Sequence, residues 1–216
     1  MSAAVARTAT AGSPLQALIL SRSSVRRYSE RPVPDHLVLS VIEAARNAPS
    51  ASNSQPWRFV VVKDPKARDE LSRRSLSGIF SRTRFAAAAP VIIALCAERA
   101  GASEIAKSLK DSAMYQLDIG IAGEHLALRA AEAGLGTCWI GWFNRRGARK
   151  AIGAPRHVKV VCLMAMGYPA EGWKPRAKVR KPIASILWRD SWGTAYRGSD
   201  YGGSADGGKT SKKLTG

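Results

Sequence analysis

The sequence is poor in acidic residues and cysteine, and these shortages exclude whole classes of protein. Its 216 residues include only 16 Asp and Glu against 34 Lys and Arg, which gives a formal net charge of +18. The three cysteines, Cys96, Cys138 and Cys162, are odd in number and widely spaced. They indicate neither a disulfide framework nor a set of metal ligands, so we expect a reducing, cytoplasmic setting.

Long apolar runs are also lacking. The longest, such as 90–97, are far shorter than the roughly 20 residues of a membrane-spanning helix, so we expect no contact with a membrane. Apolar residues still make up 45% of the chain, enough to bury a core. We expect one domain over 14–197, a flexible tail over 1–13 and a disordered Gly-, Ser- and Lys-rich tail over 198–216. The Ala, Ser and Thr content of the first tail leaves organelle targeting open as an alternative.

Helical and strand patterns alternate between the two tails. Proline at helix starts, apolar spacing and the glycine at 134 predict helices over 14–21, 35–48, 65–75 and 105–133. Short apolar runs predict strands over 57–63, 90–97, 137–142 and 157–166. This order predicts an α+β fold, with a small central β-sheet flanked by helices.

Four segments carry residue types suited to an anionic or polar ligand. SRSSVRRY (21–28) combines guanidinium groups with hydroxyls, which match phosphate oxygens in geometry and charge. PSASNSQPW (49–57) is a polar loop whose amides can donate and accept hydrogen bonds. GLGTCWIGWF (134–143) is a glycine-rich turn that a ligand can approach closely, but its helix-to-strand order rejects a Rossmann site.

The fourth segment is KPRAKVRKP (174–182). It ends a stretch, 145–181, in which eleven Lys and Arg stand against one acid, Glu171. Taken alone, each of the four segments is more typical of an ordinary turn or a solvated basic surface than of a site.

Their order along the chain resembles that of the nitroreductase family of flavoproteins, over about 14–192. The most specific parts are AP-S-x-x-N-x-Q-P-W and R-x-S-x-R. The resemblance implies a nitroreductase-like α+β fold that is stable as an intertwined homodimer. It also implies two FMN molecules at the dimer interface, each touched by both chains.

The resemblance further assigns roles to individual residues. Arg26 matches the basic residue beside flavin N1 and O2. The positions that hold the FMN phosphate are matched by Arg22, Ser23, Ser24, Lys178 and Arg180, with Arg176 and Lys181 flanking the last two. The loop that reaches the flavin from the partner subunit is matched by Pro49, Ser50, Asn53 and Gln55. The turn whose backbone N–H faces flavin N5 is matched by Ile140 and Gly141.

The implied activity is an FMN-dependent oxidoreductase with NAD(P)H as co-substrate. By a ping-pong mechanism it would pass a hydride to nitroaromatic or quinone-type acceptors. The cofactor carries this chemistry, so we expect no catalytic side chain and no metal. His36, His125 and His157 lie in separate predicted elements, and we expect the first two on helix surfaces or in the core.

The resemblance also places two lids, over 75–84 and 98–111. Four arginines in and beside the first could attract the phosphates of NADPH; they are Arg73, Arg74, Arg82 and Arg84. Equally, they could belong to a solvated loop.

Alternatives remain open on the same fold and outside it. The flavoprotein could catalyse dehalogenation, flavin fragmentation or azoline oxidation, or could carry FMN without turnover. The charge also allows a basic nucleic-acid-binding module, although basic charge alone predicts only non-specific binding.

Overall fold

The structure, a computed structural model, describes residues 12–98 and 114–196. Its internal contacts divide the chain into two compact units, Met1–Arg176 and Ala177–Gly216. Almost all of both predicted tails lies outside the described residues, and so do most of the second predicted lid and the start of the long predicted helix.

A four-stranded antiparallel sheet forms the centre of the first unit, with the strand order β1-β2-β4-β3. Its strands are β1 (Trp57–Val62), β2 (Val91–Ala97), β3 (Gly136–Ile140) and β4 (Lys159–Gly167). All four strands were predicted, each to within two residues at either end. The largest differences are that β3 ends at Ile140 instead of residue 142, and that β4 begins at Lys159 instead of residue 157.

Five α-helices lie in the described part of the first unit. They are α1 (Pro14–Ser21), α2 (Asp35–Arg46), α3 (Pro65–Ser75), α4 (Met114–Glu132) and α5 (Arg145–Ala151). Short 3-10 helices span Ala51–Asn53 and Gly78–Ala88. The first three α-helices are confirmed close to their predicted bounds, and the described part of the long helix is confirmed as α4. Among the described helices, none combines the length and the apolarity that crossing a bilayer demands.

Helices cover both faces of the sheet. Alternate residues of β2 point to opposite sides, so Ile93 and Leu95 pack against α2 and α4, whereas Ile92 and Ala94 pack against α3 and α5. Because every residue of β2 is buried, this strand reads as one continuous apolar run in the sequence.

The long helix α4 lies unusually close to the sheet. A Cβ added at Gly123 would stand 2.8 Å from both Leu95 Cδ2 and Trp139 Cζ2, so only glycine permits this approach. At its end, Gly134 has a φ of +74°, and the N–H of Leu135 donates to the carbonyl of Ala130 at 2.8 Å. This Schellman geometry confirms the predicted helix stop and turns the chain into β3.

The second unit is described as far as residue 196. It holds a 3-10 helix, Ile183–Ser185, and an isolated bridge between Trp188 and Ala195. The rings of Trp188 and Trp192 are stacked with their centroids 4.1 Å apart.

Candidate functional site

The N-terminal turn, residues 21–28, is tied to the outer edge of β3. Ser24 forms a parallel bridge with Thr137, and the N–H of Val25 donates to the Thr137 carbonyl at 2.9 Å. A Cβ added at Gly136 would come within 2.6 Å of Val25 Cβ, so a glycine in the strand permits the turn to pass this closely. The basic segment predicted as a phosphate site is therefore fixed to the sheet.

Three of the predicted site residues converge on one buried thiol. Burial raises the pKa of Cys138, while the charge of Arg26, a hydrogen bond with Ser24 and the charge of Arg22 each lower it. Arg22, Ser24 and Arg26 thus all lie near enough to act on Cys138, while Ser23 Oγ donates to the carbonyl of Ser21 at 3.2 Å.

Two of the three arginines of the turn, Arg22 and Arg26, also have a partner elsewhere in the fold. Arg22 Nε lies 3.2 Å from Glu124 Oε1 on α4, and its side chain is only 20% exposed. Arg26 stands over the ring of Phe85, with its guanidinium carbon 5.7 Å from the ring centroid. One carboxylate oxygen cannot occupy the five N–H donors of a guanidinium, so Arg22 is held in place while it keeps donors for an anion.

Tyr28 braces the base of the same turn. Its hydroxyl donates to the carbonyl of Val25 at 2.6 Å and lies 3.4 Å from that of Ala165. Burial raises the pKa of Tyr28 far above its usual range, so the phenol stays protonated and keeps its donor. The turn therefore has a hydrogen-bonded support that does not depend on any ligand.

The turn after β3 is open on one side. Ile140 is buried, but Gly141 is exposed, and a Cβ added there would meet no atom within 4 Å. Next to it, Trp142 Nε1 donates to the carbonyl of Ile79 at 3.3 Å, and its ring lies 5.3 Å from that of Phe80. The predicted first lid is thus a 3-10 helix that packs against Trp142 beside the exposed glycine backbone.

The polar loop 49–57 has a strained backbone. Ser52, Asn53 and Gln55 have φ values of 51°, 53° and 44°, in the left-handed region that non-glycine residues rarely adopt. Gln55 N–H donates to Ser50 Oγ at 3.0 Å, and its side-chain amide donates to Asn53 Oδ1 at 2.9 Å. Strain of this kind persists only where the surroundings impose it, and it is concentrated at functional sites.

A buried carboxylate on α4 anchors that loop. The N–H of Ala51 donates to Asp118 Oδ1 at 3.1 Å, and Asp118 is only 3% exposed. Asp118 and Glu124 are six residues apart on one helix, which places them about 9 Å apart along its axis and about 120° apart around it. The loop and the N-terminal turn are therefore anchored to different faces of α4.

The C-terminal site residues are a separate case, because Lys178 and Arg180 belong to the second compact unit. Arg180 is exposed and its guanidinium donates to the carbonyl of Val179 at 3.1 Å. Arg176, which was predicted to flank them, is the exposed last residue of the first unit. Their role at the phosphate stays a prediction.

The arginines beside the first lid divide into two pairs. Arg73 and Arg74 both form salt bridges with Glu70, whereas Arg82 and Arg84 are exposed. Glu70 offsets one of the two positive charges of the first pair, so Arg82 and Arg84 are the better candidates for attracting a phosphate of NADPH.

The histidines are placed as expected. His36 is exposed on α2, and His125 Nδ1 lies 3.3 Å from the Ala44 carbonyl, where α4 packs on α2. His157 Nε2 lies 3.2 Å from Glu98 Oε1. Within 12–98 and 114–196, no three His, Cys, Asp or Glu side chains cluster as metal ligands would.

Sequence reasoning missed the supporting residues Glu124, Asp118, Phe85 and Cys138. Each reaches the site from a distant part of the chain, as when Glu124 meets Arg22. A carboxylate among the apolar positions of the long helix was the one available indication, since Asp118 is a buried charge that needs a partner.

The sequence is similar to a family model and to proteins of known name. The family model described as "Nitroreductase family" matches residues 19–87 and 80–168, which together exceed half of the chain. An "NADH dehydrogenase" of Thermus thermophilus is 32% identical, over 79% of this chain and 93% of its own length. An "Iodotyrosine deiodinase 1" of Rattus norvegicus is 29% identical, over 79% of this chain and 67% of its own length.

Solved structures give the same fold. A nitroreductase family protein of Clostridium novyi superposes with a TM-score of 0.63 at 27% identity, covering 85% of this chain and 97% of that one. An FMN-dependent nitroreductase of Clostridium difficile superposes with a TM-score of 0.66 at 23% identity, covering 81% and 98%. These neighbours confirm the predicted α+β fold class.

Proposed function

Because the chain belongs to the nitroreductase family, we propose that it is an FMN-dependent oxidoreductase. In this proposal it transfers two electrons from NAD(P)H to a nitroaromatic or quinone-type acceptor, in a ping-pong sequence. The observation that supports it is the attachment of the turn with Arg22, Ser24 and Arg26 to β3, the strand that leads to the exposed backbone of Gly141.

The residues of this site fit a phosphorylated, planar cofactor. The fixed guanidinium of Arg22 and the hydroxyl of Ser24 suit a phosphate. The space beside Gly141, where a Cβ would meet nothing within 4 Å, leaves room for a flat ring against the backbone. FMN, when bound, would supply the two-electron chemistry between the nicotinamide and the acceptor.

The chain's own residues position the participants. Glu124 contacts Arg22 and Phe85 contacts Arg26, so these two positive charges would need little reorientation when an anion binds. Arg26 would favour negative charge on the neighbouring ring edge by Coulomb attraction. The N–H groups at 140–141 would orient the ring without any particular side chain. The 3-10 helix Gly78–Ala88 would limit the access of water from one side.

A homodimer completes the proposal. The strained loop with Pro49, Ser50, Asn53 and Gln55 would reach the cofactor of the partner subunit, since the loop and the turn are anchored to different faces of α4. Helices α1, α2 and α4 also expose large apolar side chains, the feature expected of a face covered by a second copy. These are Leu15, Leu20, Leu39 and Leu117.

Lys178 and Arg180 would add cations at the phosphate in the assembled dimer, as the resemblance implies. This part of the proposal is tested by FMN retention in Arg180→Ala. The variant should retain less FMN, while the melting temperatures of the FMN-free variant and FMN-free wild type should agree, because the Arg180 side chain is exposed. Full FMN occupancy in the variant would remove the C-terminal pair from the site.

The central experiment follows the visible absorption of oxidised flavin. The purified protein should be yellow, should bleach when NADH or NADPH is added without oxygen, and should recover when a quinone is added. A colourless preparation that takes up no added FMN would contradict the proposal. Binding of FMN without bleaching would instead favour a flavin carrier.

The choice between the two nicotinamides can be tested on the same absorption band. If Arg82 and Arg84 steer the extra phosphate, reduction by NADPH should be faster than by NADH at low salt and should lose that advantage at high salt. Rates that are equal and independent of salt would remove the steering argument.

A second activity on the same cofactor is reductive dehalogenation. It is favoured by the relative named iodotyrosine deiodinase, which matches 79% of this chain. The test offers iodotyrosine and a quinone to the reduced protein in parallel. Faster re-oxidation by iodotyrosine, with release of iodide, would make dehalogenation the better description.

A further inference from the structure

A basic groove lies where α5 meets the beginnings of α4 and β4. Two cavities, of about 310 and 590 Å³, open there. Arg146, Arg149 and Arg156 line both of them, so the two cavities form one continuous depression, which we call the arginine groove. The cations that line it are Arg145, Arg146, Arg149, Lys150, Arg156 and Lys159.

Among the described residues, no acidic side chain pairs with a cation of this groove. No described residue of the lining is an Asp or Glu. Of the salt bridges that join residues within 12–98 and 114–196, none involves any of the six cations. Six like charges in one depression repel one another, so an anion that enters the groove lowers the electrostatic free energy of the protein.

The scaffold under these cations is rigid. Asn144 Oδ1 accepts a hydrogen bond from the N–H of Gly147 at 2.9 Å, which caps α5, and Ala148 is fully buried. A Cβ added at Gly147 would lie 2.8 Å from the carbonyl carbon of Arg74, so α5 packs directly on the backbone of α3. The backbone from which Arg145, Arg146 and Arg149 extend is therefore held in place by its cap and by its packing on α3.

One end of the groove offers an aromatic ring and an amide. Lys159 Nζ lies 5.2 Å from the ring centroid of Tyr115, which is partly buried, and Gln116 Nε2 donates to the Tyr115 hydroxyl at 3.2 Å. Both residues line the smaller cavity together with Lys159. A groove of cations that ends in an aromatic side chain is the arrangement that holds single-stranded nucleic acids.

We propose that the arginine groove binds the phosphate backbone of a single-stranded nucleic acid, without regard to base sequence. Guanidinium forks match phosphate oxygens in geometry and charge. Their spread along a continuous depression fits a ligand with regularly repeated charges better than one isolated phosphate. The proposal is independent of the flavin activity, because none of the groove residues belongs to the proposed FMN site.

The test measures the fluorescence anisotropy of a labelled oligonucleotide of about 20 nucleotides, longer than the usual footprint of such sites. The full-length holoprotein is titrated at several salt concentrations. The test variant is Arg146→Gln with Arg156→Gln, and its control is Lys66→Gln with Lys174→Gln. The control removes the same formal charge from exposed positions that do not line the groove.

We expect the test variant to bind at least ten-fold more weakly at low salt. Each lost phosphate contact lowers the slope of log K against log salt by about 0.7, so the slope should fall by about 1.4. The control should keep most of the wild-type affinity and slope. Bound flavin and melting temperature should be unchanged in both double variants, since the mutated side chains are exposed. If the test variant does not fold, Arg146→Gln alone should lower the slope by about 0.7.

Three results would overturn the proposal. Equal losses in the test and control variants would mean that diffuse net charge, and not the groove, attracts the oligonucleotide. If the double variant loses affinity for inorganic polyphosphate but binds the oligonucleotide as the wild type does, the groove binds a different phosphate polymer. If the double variant loses affinity only for vesicles of anionic lipid, the groove binds a membrane surface.

Discussion

The N-terminal turn and the arginine groove are both rich in arginine, but the fold treats them differently. In the turn, Arg22 is paired with Glu124 and Arg26 stands over Phe85. In the groove, Arg146 and Arg156 line open cavities and form no ion pair with a described residue. The fold therefore fixes Arg22 and Arg26 against neighbouring side chains, whereas it leaves Arg146 and Arg156 exposed to solvent.

The difference teaches what each cluster can recognise. Ordering a long side chain on binding costs about 0.5–1.5 kcal/mol, and an arginine that is already ordered avoids that cost. The turn is thus suited to one ligand in one position, as a cofactor requires. The groove is suited to a mobile polyanion, for which the number of charges matters more than their exact placement.

The strongest test of this comparison removes the attachment of the turn. In Gly136→Val, the new side chain would overlap Val25 and push the turn away from β3. We expect a loss of about 3 kcal/mol in the free energy of unfolding, which is at the upper end for overpacking, together with loss of bound FMN. Denaturant unfolding and the flavin content of the purified protein measure both effects.

Gly141→Ala provides the matched control. Its Cβ would meet no protein atom within 4 Å, so the free energy of unfolding should change by less than about 0.5 kcal/mol. A normal stability with weaker FMN binding would support the position of Gly141 beside the ring. If Gly136→Val retained wild-type stability and FMN, the attachment of the turn to β3 would be unimportant.

The next test compares the effect of arginine substitutions in the two clusters on FMN binding. Arg22→Gln and Arg26→Gln should each weaken FMN binding about ten-fold or more, because each removes a charge-assisted contact worth about 1.5–3 kcal/mol. The groove variant Arg146→Gln with Arg156→Gln should bind FMN normally. Titration of the apoproteins by the quenching of flavin fluorescence measures all three. Equal losses in the turn and groove variants would show that FMN responds only to net charge.

A third test concerns the loop that neither cluster supports. In Asp118→Ala the N–H of Ala51 loses its acceptor, which should cost about 1–3 kcal/mol and loosen the strained residues 52–55. Limited proteolysis of the loop and denaturant unfolding would detect the change. Asp118→Asn keeps an acceptor and should restore much of the loss, whereas equal defects in both variants would indicate that the negative charge itself matters.

The smallest expected effect is the pH dependence of stability that two buried thiols cause, each influenced by an arginine of one cluster. Burial raises the pKa of Cys162 to about 12, against an opposing effect of Arg145 in the groove. Burial likewise raises the pKa of Cys138, against the arginines of the turn. Both thiols ionise near pH 9.0 once the chain unfolds, so their contribution to stability is complete below pH 9 and is lost as the pH rises towards the folded values.

Thermal melting from neutral pH to about pH 11 measures this alkaline limb. Between pH 9 and pH 11, Cys162→Ala and Cys138→Ala should each reduce the loss of stability by no more than about 3 kcal/mol. Arg145→Gln should steepen the limb in a chain that keeps Cys162 and have no such effect in Cys162→Ala. An alkaline limb that neither cysteine variant alters would show that other groups control it.

Helices and strands with a clear local signal could be predicted from the sequence, whereas the one that depends on tertiary packing could not. β2 is buried on both faces and reads as an unbroken apolar run, and α3 begins at Pro65 after the capping residue Asp64. In contrast, α5 was missed, because RRGARKA has no apolar period and buries only Ala148. Its helix depends on the Asn144 cap and on packing against α3, and only the first of these is visible in the sequence.

The candidate site divides in the same way. The short N-terminal turn keeps Arg22, Ser24 and Arg26 together in any fold, so their grouping could be predicted from the sequence. Their contacts with Glu124 and Phe85 come from tertiary structure, and no local pattern encodes them. The basic stretch 145–181 was predicted as one patch, but only its first six cations line the groove.

The glycine at position 123 has a consequence for how this protein can change over time. The helix that carries both Asp118 and Glu124 rests on Trp139 and Leu95 only because a methyl group is missing there. Any larger residue would lift the helix and displace both carboxylates together, so neither anchor could be spared. The distance between α4 and the sheet thus depends on the missing Cβ of Gly123. We expect substitutions at this position to be rarer than at the surface cations.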